Sequence, residues 1–199
     1  MKNFKLYLIA IGCLFCSSLY AQNNSIKEVE FKPYWSFTDA VGWGFLDGEG
    51  SPTTFRFTLG ANYFFKENIY AGAQIGYLGA SNHYSEGYKS IESKNHFITI
   101  PLELGYTLVT ENRKWGIAPF AGLGVNIGIK GKTETEDYGD IDHEIGGKLG
   151  LSGRIGVHII LSDFIISGSY NAPLNSKQED LFGEDAYPEV TIGYAFSLE

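Results

Sequence analysis

The chain has 199 residues, with 15 lysines and arginines against 23 aspartates and glutamates, and a formal net charge of −8. This length suits one domain, and the acidic balance argues against nucleic acid as a partner, because phosphate binding requires a basic surface. After the opening segment, no stretch reaches the roughly eighteen consecutive apolar residues that a membrane-spanning helix needs.

The opening segment, residues 1–21, has the pattern of a secretory signal peptide. Two lysines precede an apolar run, and small residues lead to Ala21, after which we expect cleavage. Residues 22–199 would then form a single mature domain. Both cysteines, Cys13 and Cys16, lie in the opening segment, so the mature chain would have no disulfide and no catalytic thiol.

The rest of the chain alternates apolar with small or polar side chains, a two-residue period that only a β-strand displays as two faces. It predicts eight strands, over residues 28–38, 53–65, 69–79, 96–109, 115–129, 148–161, 164–171 and 188–198. Tight turns are expected at 66–68, 110–114 and 162–163, and long loops at 39–52, 80–95, 130–147 and 172–187. We therefore predict an all-β fold, an eight-stranded antiparallel up-and-down transmembrane β-barrel with short periplasmic turns and long extracellular loops.

The two faces of each strand predict an apolar exterior and a polar, glycine-rich interior. In the fourth strand Ile98, Leu102 and Leu104 would meet lipid while Thr99 and Glu103 point inward. Outward positions elsewhere are Phe55, Phe57, Leu59, Ala61, Tyr63, Phe65, Ile100, Tyr106, Leu108, Trp115, Ile117, Ala121, Leu123, Val125, Ile127, Leu149, Leu151, Ile155, Val157 and Ile159. Glycine and serine inside are expected because an eight-stranded barrel is narrow.

A secreted lipocalin-like binding barrel is the alternative fold, since it too has eight strands but turns its apolar face inward around a ligand. Its polar face would meet water and carry many charges. Here that face is mostly glycine, serine, threonine and asparagine, which favours the membrane barrel.

Aromatic residues collect near the predicted strand ends, as expected for the girdles of a membrane barrel. They are Trp35, Phe37, Tyr63, Phe65, Tyr77, Tyr106, Trp115, Tyr170, Tyr194 and Phe196. Pro33, Pro101 and Pro119 fall within predicted strands and lack the N–H of a closed ladder, so we expect bulges or misplaced strand boundaries there.

Three segments carry a family resemblance: 98–106, which reads ITIPLELGY, 119–124, which reads PFAGLG, and 190–196, which reads VTIGYAF. They resemble successive strands of the outer-membrane β-barrel domain family common in the Bacteroidota, which is similar to PorT-like and OmpA/OmpX-like barrels. The resemblance implies a small closed barrel in the outer membrane of a Gram-negative bacterium. It implies architecture and no particular chemistry.

Six polar residues are expected in the lumen: Glu30, Lys32, Arg56, Glu103, Arg154 and His158. Because a lone charge is costly in an enclosed bore, Glu103 should pair with one or both arginines, and Glu30 with Lys32 or another neighbour. We interpret the set as a structural plug. The alternative is a narrow pore lined by these charges.

A hydrolase is a further alternative, with His158 beside Ser152, Ser167 or Ser169 and with Glu103 as the orienting group. No catalytic spacing supports it, so we expect no enzyme. The acidic segment 134–144 does not match the spacing of a calcium loop, so no metal and no cofactor is expected.

The sequence thus predicts an integral outer-membrane barrel with a structural or surface-interaction role, in contact with outer-membrane lipid and lipopolysaccharide. The long loops could also meet a protein partner. The residues expected to make such loop contacts are Trp43, Phe45, Tyr84 and Tyr88.

Overall fold

The computed structural model describes residues 32–45, 53–86, 89–109, 115–135, 139–143, 148–176 and 186–197. Its strands are β1 (Tyr34–Phe45), β2 (Thr53–Lys66), β3 (Ile69–Glu86), β4 (Lys89–Tyr106), β5 (Leu108–Val109), β6 (Trp115–Thr135), β7 (Gly139–His143), β8 (Leu149–Leu161), β9 (Phe164–Pro173) and β10 (Tyr187–Ser197). Among the described residues, no helix is long and apolar enough to cross a membrane.

Eight of these strands close into a ring in which every neighbour is antiparallel. The order is β1, β2, β3, β4, β6, β8, β9 and β10, and β10 pairs back onto β1 from Gly44 opposite Glu189 to Ser36 opposite Ser197. The short β5 continues β4 beyond Thr107, and β7 pairs with the extension of β6. The predicted eight-stranded antiparallel barrel is confirmed.

The first strand was predicted at the wrong place. It spans Tyr34–Phe45 instead of 28–38, so Lys32 and Pro33 precede it. The apolar outer face is interrupted after Phe37 by Asp39, yet backbone pairing with β2 and β10 continues through this position to Gly44. Backbone pairing, which is independent of side-chain hydropathy, sets the true boundary.

Two of the predicted long loops are largely strand. Residues expected in the loop 80–95 extend β3 to Glu86 and begin β4 at Lys89, and those in 130–147 extend β6 to Thr135 and form β7. Their alternation is between polar side chains, which a hydrophobic pattern does not register. The tight turns at Glu67 and Asn68 and at Ser162 and Asp163 are confirmed, whereas 110–114 lies outside the described residues.

The prolines within the barrel wall do not cause bulges. The ladder between β3 and β4 skips the pairs at Ile100 and Pro101 but keeps its register, and Pro119 pairs normally with Val157 of β8. The register shifts lie elsewhere, at Phe65 in β2 and at Ile129 in β6. The missing N–H of a proline therefore removes backbone hydrogen bonds locally, but it does not shift the register of the strands.

The side chains divide by face as predicted. Phe57, Leu59 and Leu104 are exposed on the outside, while Thr58, Thr99 and Asn126 are buried inside. This arrangement contradicts the lipocalin-like alternative. Tyr106 is the exception on the outer parity: it is buried beside the turn after β2, where its hydroxyl lies 3.5 Å from the Asn68 side-chain amide.

Aromatic side chains mark the two ends of the barrel wall. At the short-turn end Trp35 contacts Tyr63 with ring centroids 4.8 Å apart, and Phe37 contacts Phe196 at 5.8 Å. At the long-loop end Trp43 meets Phe55 at 6.0 Å. Trp43 and Phe45 therefore belong to β1 and its outer face, and their predicted placement in a loop is wrong.

Candidate functional site

The bore of the barrel holds the polar residues expected there, with two exceptions. Arg56 from β2, Glu103 from β4, and Arg154 and His158 from β8 all point inward, and the first three are buried. Lys32 is exposed ahead of β1, so its prediction as a lumen residue is wrong. Glu30 lies outside the described residues. We call Arg56, Glu103, Arg154, His158, Ser167, Asn171 and Glu189 the lumen network.

Glu189 of β10 is the centre of a buried ion-pair cluster. Its Oε2 lies 3.0 Å from Arg56 Nη2, and its Oε1 lies 3.5 Å from Arg154 Nη2. Arg154 also donates from Nε to Asn171 Oδ1 at 3.0 Å. One carboxylate thus bridges two guanidinium groups brought from opposite sides, a geometry that offsets much of the cost of burying them.

The ion pair between Arg56 and Glu189 depends on the strand between them. In β1, Gly42 lies opposite Arg56 and Gly44 lies opposite Glu189. Both glycines are on the inward face, where an ideal Cβ on Gly44 would lie 2.3 Å from Thr54 Oγ1. The absence of side chains on β1 leaves the space in which β2 and β10 meet.

Glu103 pairs with histidine, and its predicted pairing with an arginine is wrong. His158 Nε2 lies 3.3 Å from Glu103 Oε1, and His158 Nδ1 lies 2.6 Å from Ser167 Oγ. The imidazole also stacks on Phe120, with centroids 4.3 Å apart and planes within 14°. The sequence could not foresee this pairing because it depends on the register across β4, β6 and β8.

Ser167, His158 and Glu103 stand in a line of contacts that resembles a hydrolase triad. The serine and the carboxylate are nevertheless buried within the bore, at 5% and 6% exposure, whereas an acyl ester of membrane lipid would lie outside the wall. The other serines considered have different partners: Ser152 donates to Gly124 O, and Ser169 accepts from Asn171. The arrangement fits a satisfied internal histidine.

An apolar cluster closes the bore towards the long loops. It consists of Leu78, Ala80, Phe97 and Tyr187, of which Leu78 and Phe97 have no exposed surface. In the sheet, Leu78 lies opposite both Phe97 and Arg56, so the apolar cluster adjoins the arginine cluster. Its side chains come from several strands.

Glycines allow the large inward rings to fit. An ideal Cβ on Gly105 would lie 2.3 Å from the Tyr70 ring, and one on Gly156 would lie 2.7 Å from the Phe120 ring. Aromatic side chains of neighbouring strands therefore occupy the space beside the predicted inward glycines. The sequence did not predict this packing.

Glu189 is the principal functional residue that sequence reasoning missed. The alternation in β10 did indicate that it faces inward. The outward residues of this strand are Val190, Ile192 and Tyr194, and Glu189 occupies the position directly before them. Asn171, Tyr70 and Phe120 follow from the same rule. Which of these residues touch depends on register, which the pattern does not supply.

The remaining residues predicted to make loop contacts lie on the extended part of β3 or outside the described residues. Tyr84 falls in β3 and Tyr88 lies outside the described residues. In the acidic segment 134–144, the two ends belong to β6 and β7. Within the ranges that the structure describes, no group of three or more His, Cys, Asp or Glu side chains is placed to hold a metal ion.

Comparison with known proteins finds one matching family model and several similar solved structures. The family model described as outer membrane protein beta-barrel domain matches residues 9–196. Neisserial surface protein A is similar at 14% identity and a TM-score of 0.48, over 84% of this chain and 100% of that one. No curated protein matches the chain by sequence at a significant level.

Two further solved structures are similar to the chain. A major outer membrane protein from Thermus thermophilus shares 14% identity at a TM-score of 0.47, over 81% of this chain and 99% of that one. The outer membrane enzyme PagL shares 15% identity at a TM-score of 0.37, over 82% of this chain and 99% of that one.

Proposed function

We propose a function from one premise: the chain belongs to the outer membrane protein β-barrel domain family. The protein is an outer-membrane barrel of a Gram-negative bacterium, with a lumen closed to ions and a structural or surface-interaction role. Its direct partners are outer-membrane lipids, including lipopolysaccharide, and its long-loop end is the face available to a protein partner. It needs no cofactor and performs no catalysis.

The observation that carries the closed lumen is the buried bridge of Arg56, Glu189 and Arg154. Glu189 is 1% exposed although it lies within the bore, so no water-filled passage runs beside it. A conducting pore keeps its charged groups in contact with water, because hydrated ions must pass them. Here the charges neutralise one another instead.

The large side chains around this bridge support the same conclusion. Phe97 and Leu78 fill the bore on the long-loop side, and Phe120 and Tyr70 fill it on the short-turn side. A narrow pore would require these side chains and the ion pairs to move together. This favours the plug over the pore.

The exterior supports insertion into a bilayer. Large apolar side chains such as Leu59, Leu104 and Leu123 are exposed on the outer wall, between the two aromatic ends. Such a continuous apolar band is unfavourable in water but matches the hydrocarbon region.

The lipid-modifying enzyme is not favoured. His158 does contact both Ser167 and Glu103. All three residues nevertheless face the packed interior, and an enzyme acting on acyl chains needs its reactive groups open to lipid. The contacts are accounted for by the need to satisfy polar groups in a dry bore.

Planar-bilayer recording of the purified, refolded full-length protein tests the closed lumen. We expect no stable conductance steps from the wild type. The double variant Arg56→Ala/Glu189→Ala, which removes this ion pair, should give transient or small openings, and Glu92→Ala on the outer wall should behave as the wild type does. Stable, sizeable steps from the wild type would overturn the proposal.

A further inference from the structure

Asp39 places a carboxylate halfway up the apolar outer wall. In β1 the exposed rings of Trp35 and Trp43 lie four residues to either side of Asp39, and they belong to the two aromatic ends of the wall. Four residues of a strand measure about 13 Å, which is about 10 Å of depth at the tilt of a membrane strand. Asp39 therefore lies near the middle of the hydrocarbon layer, and its short side chain cannot reach water from there.

The seam between β1 and β10 does not require this charge. Asp39 Oδ1 accepts the backbone N–H of Tyr194 at 3.1 Å. The side-chain oxygen of an asparagine would accept the same hydrogen bond without placing a charge in lipid. Within the described ranges Asp39 forms no ion pair, so its charge is uncompensated in the wall. Ionisable groups inside a membrane are costly, and they usually mark a functional contact.

Aromatic rings adjoin this carboxylate on the outer face. Tyr194 lies opposite Asp39 and Phe196 lies opposite Phe37, and we call these four residues the acid–aromatic block. The ring centroids of Phe37 and Phe196 are 5.8 Å apart, and those of Tyr194 and Phe196 are 6.5 Å apart. Both Tyr194 and Phe196 are exposed. A carboxylate beside exposed rings suits a guanidinium group, which can donate to the first and stack on the second.

A lipid headgroup cannot supply the cation that Asp39 lacks. Headgroups lie at the level of the aromatic ends, because tryptophan and tyrosine rings mark the boundary between lipid and water. That level is about 10 Å from Asp39 in depth. The cation must therefore be carried into the hydrocarbon layer by a membrane-spanning segment.

A second copy of this chain does not supply the cation either. Two copies with the same orientation in a membrane are related by a twofold axis along the membrane normal, so each residue faces its partner at its own depth. Within the described ranges, every lysine lies ahead of a strand, at the end of a strand or on the long-loop extensions of β4 and β6. The two described arginines, Arg56 and Arg154, are buried in the bore. The cation therefore comes from another protein.

We propose that the acid–aromatic block binds an arginine that a membrane-spanning partner protein carries at the middle of the bilayer. This inference rests on the proposed insertion of the barrel into the membrane and adds a lateral partner to it. The guanidinium donates to Asp39 Oδ2 and stacks on the ring of Tyr194 or Phe196. The apolar part of the partner packs on Val41 and Ile192, the next outward pair along the same two strands.

The test measures how a defined arginine-bearing segment binds to the full-length protein in phosphatidylcholine vesicles. The probe is a transmembrane peptide of about 20 leucine and alanine residues with one central arginine and a terminal dansyl group, and its match has leucine in place of the arginine. Because Trp35 and Trp43 flank the block, a bound peptide quenches their emission by energy transfer. The forms compared are the wild type, Asp39→Asn, Asp39→Glu and the control Glu67→Gln, which removes a carboxylate from the turn between β2 and β3.

We expect the arginine peptide to bind the wild type about tenfold more tightly than Asp39→Asn, because in hydrocarbon no water competes for a charge-assisted hydrogen bond. Asp39→Glu should keep most of this affinity, and Glu67→Gln should bind as the wild type does. The leucine peptide should bind all four forms equally. Equal affinity of the arginine peptide for the wild type and Asp39→Asn would overturn the proposal.

Two further outcomes separate the sources of failure. Self-association of the wild type that Asp39→Asn abolishes, read by cross-linking in the same vesicles without peptide, would assign the carboxylate to a contact between copies and overturn the partner assignment. Insertion is read independently from heat-modifiable gel migration of the vesicle-bound protein. If the wild type does not insert, the proposed function fails and the arginine site fails with it, whereas insertion without selectivity for the arginine peptide overturns the arginine site alone.

Discussion

Arg56 and Glu189 form a buried ion pair of 3.0 Å that spans the width of β1. The pair joins β2 to β10 across the strand that closes the barrel, and Gly42 and Gly44 of that strand provide the space. The contact therefore links closure of the sheet to closure of the bore. The same carboxylate reaches Arg154, so its removal affects three strands at once.

Replacing this carboxylate should destabilise the barrel strongly. Glu189→Gln leaves Arg56 and Arg154 as uncompensated buried charges, which costs about 3–5 kcal/mol when one partner of a buried pair is removed. Urea unfolding of the vesicle-inserted protein, followed by tryptophan fluorescence, measures the change. Glu92→Gln, which removes a carboxylate from a partly exposed pair with Lys94, should cost less than about 1 kcal/mol. Equal losses for the two variants would contradict the role given to Glu189.

Replacing a glycine by alanine should destabilise the barrel where the glycine faces the filled bore and not where it faces the outside. Gly105→Ala places a Cβ 2.3 Å from the Tyr70 ring, whereas the corresponding Cβ at Gly168 meets nothing within 4 Å. Overpacking of this kind costs about 1–3 kcal/mol, so Gly105→Ala should lower the free energy of unfolding and Gly168→Ala should not. If both variants unfold at the same urea concentration as the wild type, the bore is less densely packed than the structure indicates.

Asp39 is an acidic side chain on the otherwise apolar outer face. It is exposed, and its Oδ1 accepts the Tyr194 backbone N–H at 3.1 Å. Asp39→Asn keeps an oxygen acceptor and removes the charge, so in a bilayer it should stabilise the barrel by about 1 kcal/mol. Asp163→Asn, at the turn between β8 and β9, serves as the control and should change stability little. A less stable Asp39→Asn protein would show that the charge itself has a role.

His158 should prove dispensable for lipid chemistry. Its contacts with Ser167, Glu103 and Phe120 are internal, so His158→Ala should weaken the fold and leave the lipid A acylation pattern of expressing cells unchanged. Mass spectrometry of lipid A from cells that express the wild type, His158→Ala, Ser167→Ala or no protein makes the comparison. Deacylated lipid A that is present with the wild type and absent with both variants would establish an enzyme.

The faces of the barrel were predictable from the sequence, and the contacts inside it were not. Alternation alone assigns Leu104 to the outside and Glu103 to the inside, because successive side chains of a strand point to opposite faces. The partner of Glu103 depends on how β4, β6 and β8 are staggered, and the sequence pattern contains no register. The partner is His158 instead of an arginine for that reason.

The ends of the strands were also not predictable from hydrophobic alternation alone. β1 was predicted too early because Asp39 interrupts its apolar outer face, although Asp39 pairs normally with Leu59 of β2. The extensions of β4 and β6 alternate between polar residues such as Lys94 and Lys132, and therefore resemble loops in composition. Backbone hydrogen bonds pair these extensions with each other. Hydrophobic periodicity detects only the part of a strand that faces apolar surroundings.

Cysteine accessibility at two neighbouring positions of β4 tests the central claim most directly. Ile98 is exposed on the outer wall and Thr99 is fully buried in the bore. In vesicles, with Cys13 and Cys16 replaced by serine, Ile98→Cys should react with a lipid-soluble maleimide and not with a charged, water-soluble thiosulfonate. Thr99→Cys should react with neither until the barrel is unfolded. Rapid reaction of Thr99→Cys with the water-soluble reagent would show a hydrated, open lumen and contradict the account.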